Sequence, residues 1–223
     1  MINSVPKMSS VKKVVETNRT DYGVSFLDES TIDKNPLLQF EKWIEEAIIN
    51  KTEEPNCMTL STVADNGRVS SRIVLLRNFN ENGFSFFTNY SSKKANQLGD
   101  GKFCALNFFW QQMQRQIRIE GEVMKLSAKE SDDYFNSRPR DSQIGAHASA
   151  QSTVLNNRKE LEDKFAMLSA EFARKEVPRP QNWGGFIIKP MLYEFWQGRP
   201  NRLHDRIQYT LTNNQWIIER LSP

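Results

Sequence analysis

Apolar residues recur along this chain with two different periods, and the switches between them mark its elements. Residues 1–34 are polar and turn-rich and read as a flexible arm. A helix starts at Asn35-Pro36, where Asn35 suits the cap and Pro36 the first helical position. Leu37, Phe40, Ile44, Ala47 and Ile48 follow on one face at helical spacing. Short apolar runs then predict strands over 56–64 and 69–76, joined by the hairpin signal Asp65-Asn66-Gly67. Asn82-Gly83 turns into a strand over 84–88, and Ser91 or Ser92 caps a short helix ending near Gly99.

A long hairpin follows, over 103–110 and 116–126. Ser127-Ala-Lys-Glu130 is a capping box that opens a helix to about Asn136. Residues 138–152 show little periodicity and read as a loop or short helix. An amphipathic helix over 158–174 stops at Pro178 and Pro180. Strands over 185–189, 192–197, 206–211 and 215–220 complete the chain. Closely spaced strands with hairpin turns predict a mainly β (α+β) fold, an antiparallel barrel with peripheral helices. Strands and helices do not alternate, and no Gly-x-Gly-x-x-Gly follows a strand, which disfavours a Rossmann domain. The expected organisation is an arm over 1–34 and a single domain over 35–223.

Composition adds limits. The 223 residues are 38% hydrophobic, enough for a packed core. Thirty basic against 27 acidic residues leave a net charge of +3, and the basic residues are clustered, so nucleic acid is not an expected partner. Cys57 and Cys104 lie in apolar strand-like runs and read as reduced core thiols. Two histidines and no zinc spacing give no metal site. No apolar stretch reaches membrane-spanning length and residues 1–20 hold no secretion-type apolar region, so a soluble cytoplasmic protein is expected.

The basic clusters suggest phosphate, since guanidinium forks and hydroxyl donors match its oxygens. Arg72 and Arg77, five residues apart, point to opposite faces of a regular strand, or read simply as solvated strand ends. Phe87-Thr88-Asn-Tyr-Ser-Ser-Lys93-Lys94 puts two lysines in the first turn of a helix, where a bound anion would relieve their conflict with the helix dipole; an ordinary charged surface reads the same way. Gln116 offers an amide on a strand, suited to a heterocycle edge or to solvent. Tyr134, Arg138 and Ser142 supply a phenol, a guanidinium and a hydroxyl for one phosphate, or a helix end placed for its dipole. Arg202, His204 and Arg206 share parity on an extended strand beside Trp196, and so face one pocket or a charged sheet edge.

Arg138-Pro-Arg-Asp-Ser-Gln-Ile-Gly145, Trp183-Gly-Gly-Phe186, Glu194-Phe-Trp-Gln-Gly198 and Arg202-Leu-His-Asp-Arg206 together resemble the pyridoxamine/pyridoxine 5′-phosphate oxidase family. The resemblance runs from about Arg19 to Pro223. It implies a split β-barrel homodimer with FMN at the subunit interface. It places FMN contacts at Arg72, Ile73, Val74, Leu75, Leu76, Arg77, Phe87, Thr88, Lys93, Lys94, Gln116, Gln151, Ser152, Trp196 and Arg206. Substrate contacts fall on Arg19, Tyr22, Arg77, Tyr134, Arg138, Ser142, Arg202, Leu203 and His204, with Arg202 and His204 as the catalytic pair. The arm carrying Arg19 and Tyr22 becomes a lid over the substrate. The implied activity is oxidation of pyridoxamine 5′-phosphate and pyridoxine 5′-phosphate to pyridoxal 5′-phosphate in vitamin B6 salvage, with O2 reduced to H2O2. Alternatives are another flavin enzyme on the same barrel, which has no need of Tyr134, Arg138 and Ser142, and a carrier, which can dispense with Arg202 and His204. Arg77 stands where the family usually has lysine, Lys93 where it has arginine and His147 where it often has tryptophan, and Arg199-Pro200 stiffens a usually small or polar turn. These departures bear on substrate affinity rather than on reaction class.

Overall fold

The computed structural model describes residues 8–17, 21–23, 25–99 and 101–223. Within the expected arm, α1 (Met8–Thr17) is helical, and the chain from Gly23 to Leu27 runs on without regular structure where described. Helix α2 (Pro36–Ile49) starts as expected, with the Asn35 side chain accepting from the Leu37 N–H at 3.0 Å. Its buried face is Phe40, Trp43, Ile44 and Ala47. Ile48 is exposed instead, because it lies about 100° round the helix from Ala47, beyond the edge of that stripe.

Among the described residues, nine strands make one antiparallel sheet. They are β1 (Cys57–Val63), β2 (Val69–Leu75), β3 (Asn78–Asn80), β4 (Gly83–Asn89), β5 (Phe103–Trp110), β6 (Arg115–Lys125), β7 (Trp183–Gln197), β8 (Asp205–Thr212) and β9 (Gln215–Leu221). The order is β2-β1-β5-β6-β7-β4-β3, with β8 on β7 and β9 on β8. The sequence pattern suggests two strands over 185–197, yet β7 is continuous. Pro190 interrupts the pattern but sits where the β6–β7 register shifts, between Glu120 and Gly121; such a bulge tolerates a missing N–H. β6 covers one edge of β7 along its length, while the other edge is shared by β4 over 183–188 and β8 over 192–197. The sheet divides there, giving an antiparallel split barrel.

Alternate residues decide which way each strand faces. Leu60, Leu106, Phe108, Ile117, Ile119, Phe195, Ile207 and Tyr209 point inward and pack with Phe40 and Trp43 of α2. Phe40 meets Phe84 edge-on at 4.8 Å, and Trp43 meets Phe195 at 5.2 Å, geometries that suit the ring quadrupole. Cys104 is buried and its thiol is pushed up to about 12 by that burial; Cys57 is only partly buried, and both are free.

Among the described residues, four further helices lie on the sheet's flank: α3 (Lys93–Leu98), α4 (Ala128–Ser137), α5 (Arg140–Ala148) and α6 (Arg158–Glu171). Ser127 and Glu130 form the expected capping box on α4. A second core gathers Phe135, Ile144, Val177 and Trp183, with Phe165, Leu168 and Phe172 packed against it. No residue of α6 is fully buried, so its apolar face leans on this small core without entering it. No helix among the described residues is long and apolar enough to cross a membrane.

Candidate functional site

A cavity of about 470 Å³ opens where the end of β2, the end of β4, α3, α4 and α5 meet. Its floor is aromatic. Phe87 stacks on Tyr134 at 3.8 Å, and Trp183 lies parallel to Tyr134 at 6.2 Å. The Gly-Gly after Trp183 is a packing requirement: a Cβ on Gly184 would meet the Tyr90 hydroxyl at 2.3 Å, and one on Gly185 the Phe87 ring at 2.8 Å. Arg138 lies over the Trp183 ring at 4.6 Å and Arg77 over the Tyr134 ring at 5.9 Å, so the slab carries two cations. Ser142 and Gly145 of α5 and Ser149 complete that wall.

The opposite wall holds Lys94. Its Nζ donates to Thr88 Oγ1 at 3.1 Å and to Gln151 Oε1 at 3.2 Å, both neutral acceptors. Arg72 stands behind this wall, donating to Thr62 Oγ1 at 2.7 Å and to the Leu60 carbonyl at 3.2 Å. Arg72 lies on β2, whereas Arg77 follows its end, in the link to β3, so strand parity does not decide their directions. The cavity lining contains no acidic residue, and among the described residues no carboxylate lies within ion-pair distance of Arg72, Arg77, Lys94 or Arg138. Burial lowers the Lys94 pKa from its ordinary value, and Arg72 lowers it further. Burial also lowers Arg138; Tyr134 opposes this and Arg77 adds to it. Arg138 Nη1 is buried with no hydrogen-bond partner. Such a set of cations is built to receive anionic oxygen.

The remaining expected residues lie elsewhere. Leu76 is in the main core. Lys93 and Ser152 border a neighbouring cavity of about 460 Å³. Gln116, Trp196 and Arg206 are cross-strand partners on β6, β7 and β8 and so form one row across the sheet. Their neighbours Ile117, Phe195 and Ile207 are fully buried, so the row faces away from the core. Glu194, 3% exposed, anchors this face: it accepts from Arg206 Nε at 2.8 Å and from Arg118 Nη1 at 2.7 Å.

The parity expected for Arg202, His204 and Arg206 does not hold. β8 begins only at Asp205, because Pro200 starts a single 3-10 turn in which Asn201 (φ 56°) and Arg202 (φ 61°) are left-handed. Arg202 and Leu203 are exposed there. His204 packs on Trp196 with ring centroids 4.7 Å apart, and Tyr22 meets both rings at 5.7 Å. The Gly23 N–H holds this part of the arm to Gln114 Oε1 at 2.9 Å, and a side chain at Gly198 would strike Tyr22. His204 Nδ1 accepts from the Arg199 N–H at 3.1 Å, which leaves the ring proton of the neutral imidazole on Nε2. Burial lowers the His204 pKa, Arg202 lowers it further, and Asp205 opposes them. Arg19 lies outside the described residues.

Sequence reasoning missed Asn89, Ser149 and Trp183 as lining residues, and missed Thr62, Gln97 and Glu194 as the groups that fix Arg72 and Arg206. Trp183 had a signal in its own Trp-Gly-Gly motif. The others are ordinary strand and helix residues until the register is known.

Residues 44–170 match the family model described as pyridoxamine 5′-phosphate oxidase, and residues 183–223 match the pyridoxine 5′-phosphate oxidase C-terminal dimerisation region. The chain belongs to the pyridoxamine 5′-phosphate oxidase family. It is 49% identical over 205 residues to the pyridoxine/pyridoxamine 5′-phosphate oxidase of Cyanothece sp., covering 92% of this chain and 96% of that one. The Mannheimia succiniciproducens oxidase is 50% identical, covering 92% and 97%. Among solved structures, PhzG from Burkholderia lata 383, in complex with tetrahydrophenazine-1-carboxylic acid, superposes with a TM-score of 0.85 at 27% identity, covering 92% and 100%. An FMN-binding protein related to pyridoxamine 5′-phosphate oxidase from Nostoc punctiforme shares the fold, with a TM-score of 0.66 at 16% identity over 82% and 97%. Membership makes this chain an enzyme of the oxidase family, and the cation-lined cavity falls within the first matched region except for Trp183.

Proposed function

We propose that this enzyme uses FMN to oxidise pyridoxamine 5′-phosphate and pyridoxine 5′-phosphate to pyridoxal 5′-phosphate in the cytoplasm, as a step of vitamin B6 salvage. The observation that carries this reading is the set of cations without counter-ions in one cavity, with Arg138 Nη1 buried and unpartnered. They fall into two groups, suiting two phosphates. Arg138, Arg77, Tyr134 and Ser142 hold the substrate phosphate. Lys94, Arg72, Thr88 and Gln151, with Lys93 and Ser152 beside them, hold that of FMN. Held there, FMN would supply two-electron redox chemistry between the substrate's C4′ carbon and O2: the alcohol would give aldehyde and H2O2, and the amine, with one water, aldehyde, ammonia and H2O2.

Ile73 and Leu75, which line the cavity, point to the same outward face of the sheet as Gln116, Trp196 and Arg206. We infer a homodimer in which that face meets its copy, so that the partner's row completes the site. Tyr22, Arg202, Leu203 and His204 come with that row, and the arm carrying Tyr22 closes over the substrate. His204, with Nδ1 already engaged, presents Nε2–H as a donor to the substrate ring rather than as a base, and Arg202 supplies the charge beside it. The aromatic slab and the arm exclude water from the reacting carbon.

The test is a visible spectrum of the purified protein with pyridoxamine 5′-phosphate, in air and then without oxygen. A yellow protein that bleaches only without oxygen, and forms the aldehyde in air, is the expected result. A yellow protein indifferent to this substrate refutes the substrate assignment, and a colourless protein that FMN cannot reconstitute refutes the cofactor.

A further inference from the structure

Helix α5 forms a wall of the cavity, yet its two largest polar side chains point away from it. Ser142, Gly145 and Ala146 face the cavity. Arg140 and His147, seven residues apart, lie about 180° round the helix from them. Both reach the segment that follows α6. Arg140 Nη2 donates to the carbonyls of Phe172 and Lys175, the latter at 2.8 Å. His147 Nε2 donates to the Pro178 carbonyl at 2.6 Å, and its ring lies 5.4 Å from Phe172. Neither residue lines the cavity.

We propose that Arg140 and His147 are positioning residues that strap α5 to the segment Phe172–Pro178 and so hold Arg138 and Ser142 in place for the substrate phosphate. Arg140 adds a second donor to the C-cap carbonyl of α6, at Phe172, while fixing the start of α5, two residues from Arg138 and two from Ser142. His147 fixes the other end. Because a carbonyl only accepts, His147 Nε2 is the donor in this hydrogen bond. Val177, buried beside Ile144 and Phe135, gives the segment a footing in the second core. The chain then continues through Arg179, whose guanidinium joins Asp132 of α4 at 2.6 Å and the Trp183 carbonyl at 2.6 Å. The strap thus ties α5, α4 and the aromatic floor into one frame.

This inference rests on the oxidase reading above, so the test begins with wild-type holoenzyme oxidising pyridoxamine 5′-phosphate in air, with inorganic phosphate as competitive inhibitor. Arg140→Met and His147→Leu should each raise KM and the phosphate inhibition constant in parallel, on the order of tenfold, with kcat within about twofold and FMN retention unchanged. His147→Gln keeps a donor of similar reach and should restore values close to wild type. Should Arg140→Met fail to fold, Arg140→Lys substitutes: its compact ammonium cannot span both carbonyls, and an intermediate rise is expected. Unchanged KM and phosphate inhibition in the strap variants, with only a lower melting temperature, would overturn the positioning role, as would a fall in kcat alone. A wild type that leaves the substrate unoxidised would overturn the functional reading itself and this inference with it.

Discussion

Replacing Arg138 by methionine should make the ligand-free protein more stable and the enzyme worse. Arg138 holds a charge in a part-buried position with one guanidinium nitrogen unpartnered, and burial lowers its pKa. A base whose folded pKa is lowered carries its charge at a cost in the folded state, at every pH below that value, and so throughout the neutral range. Leaving such a group unpaired costs about 1–3 kcal/mol, and partial exposure puts Arg138 near the lower end. Its stacking on Trp183 offsets about 0.5–1 kcal/mol. Methionine keeps the apolar stem over the ring and removes the charge, for a net gain of up to about 0.5 kcal/mol, or about 1–2 °C in Tm for a chain this size. Ligand binding moves the other way. Loss of a charge-assisted phosphate contact removes about 1.5–3 kcal/mol, so KM should rise on the order of 10- to 100-fold. The assay is thermal melting of the variant and wild type with and without inorganic phosphate, alongside KM for pyridoxamine 5′-phosphate. A variant that melts below wild type without phosphate, yet is stabilised by phosphate as strongly as wild type, would refute the reasoning.

Lys94→Ala should weaken FMN retention, read by fluorescence of released flavin, more than it raises substrate KM; the reverse order means that the two phosphate sites have been exchanged. Arg202→Ala should lower kcat at least about tenfold while flavin stays bound, and unchanged turnover removes Arg202 from the chemistry. His204 has a lowered pKa, so the neutral donor form should persist from alkaline pH down through the ordinary imidazole pKa of 6.5 and be lost only below it. An acid limb in the kcat/KM profile that falls below that value, and disappears in His204→Gln, is the expected signature. Phe109, 49% exposed and paired with Gln116 on the outward row, should be covered in a dimer. Phe109→Glu should therefore give a monomer by light scattering with little bound FMN; a dimer retaining its flavin would place the interface elsewhere.

Much of the barrel is legible in the sequence because a strand with one buried face must alternate. β5, with its alternation of inward and outward residues, and the turns at Asp65-Asn66-Gly67 and Asn82-Gly83 announce themselves. Helix α5 does not, for a physical reason: one face lines a polar cavity and the opposite face carries Arg140 and His147, so only Ile144 and Ala148 remain to mark a core. The continuity of β7 is hidden by Pro190, whose strand position is tolerable only at a bulge that a single sequence does not display. The parity argument at 202–206 fails because it assumes a strand where Pro200 and two left-handed residues make a turn. Tyr134, Arg138 and Ser142 were nonetheless nameable, since a phenol, a guanidinium and a hydroxyl offer phosphate donors in any backbone geometry; the family resemblance added Arg77, and all four line one cavity.

Counter-ions set most of the arginines that build this molecule apart from Arg72, Arg77 and Arg138; Arg140, held by carbonyls, is the exception. Arg115 is paired with Glu46, Arg118 and Arg206 share Glu194, Arg179 has Asp132, and Arg220 has Glu29 and Asp205. Arg72, Arg77 and Arg138 have only neutral or aromatic neighbours in that role. The contrast bears directly on Arg206. Its pKa is raised, first by the hydrogen bond to Glu194, and its Nε and Nη1 are committed to Glu194 and to the Ser222 carbonyl. A guanidinium so neutralised contributes little net charge to a bound group, and what it offers is a donor held in a fixed direction. The outward row therefore orients and the cavity attracts. The proposed interfacial site calls for that division: the unpaired cations lie within one chain, where a phosphate would satisfy them, while Arg118 and Arg206 on the outward row are already balanced by Glu194.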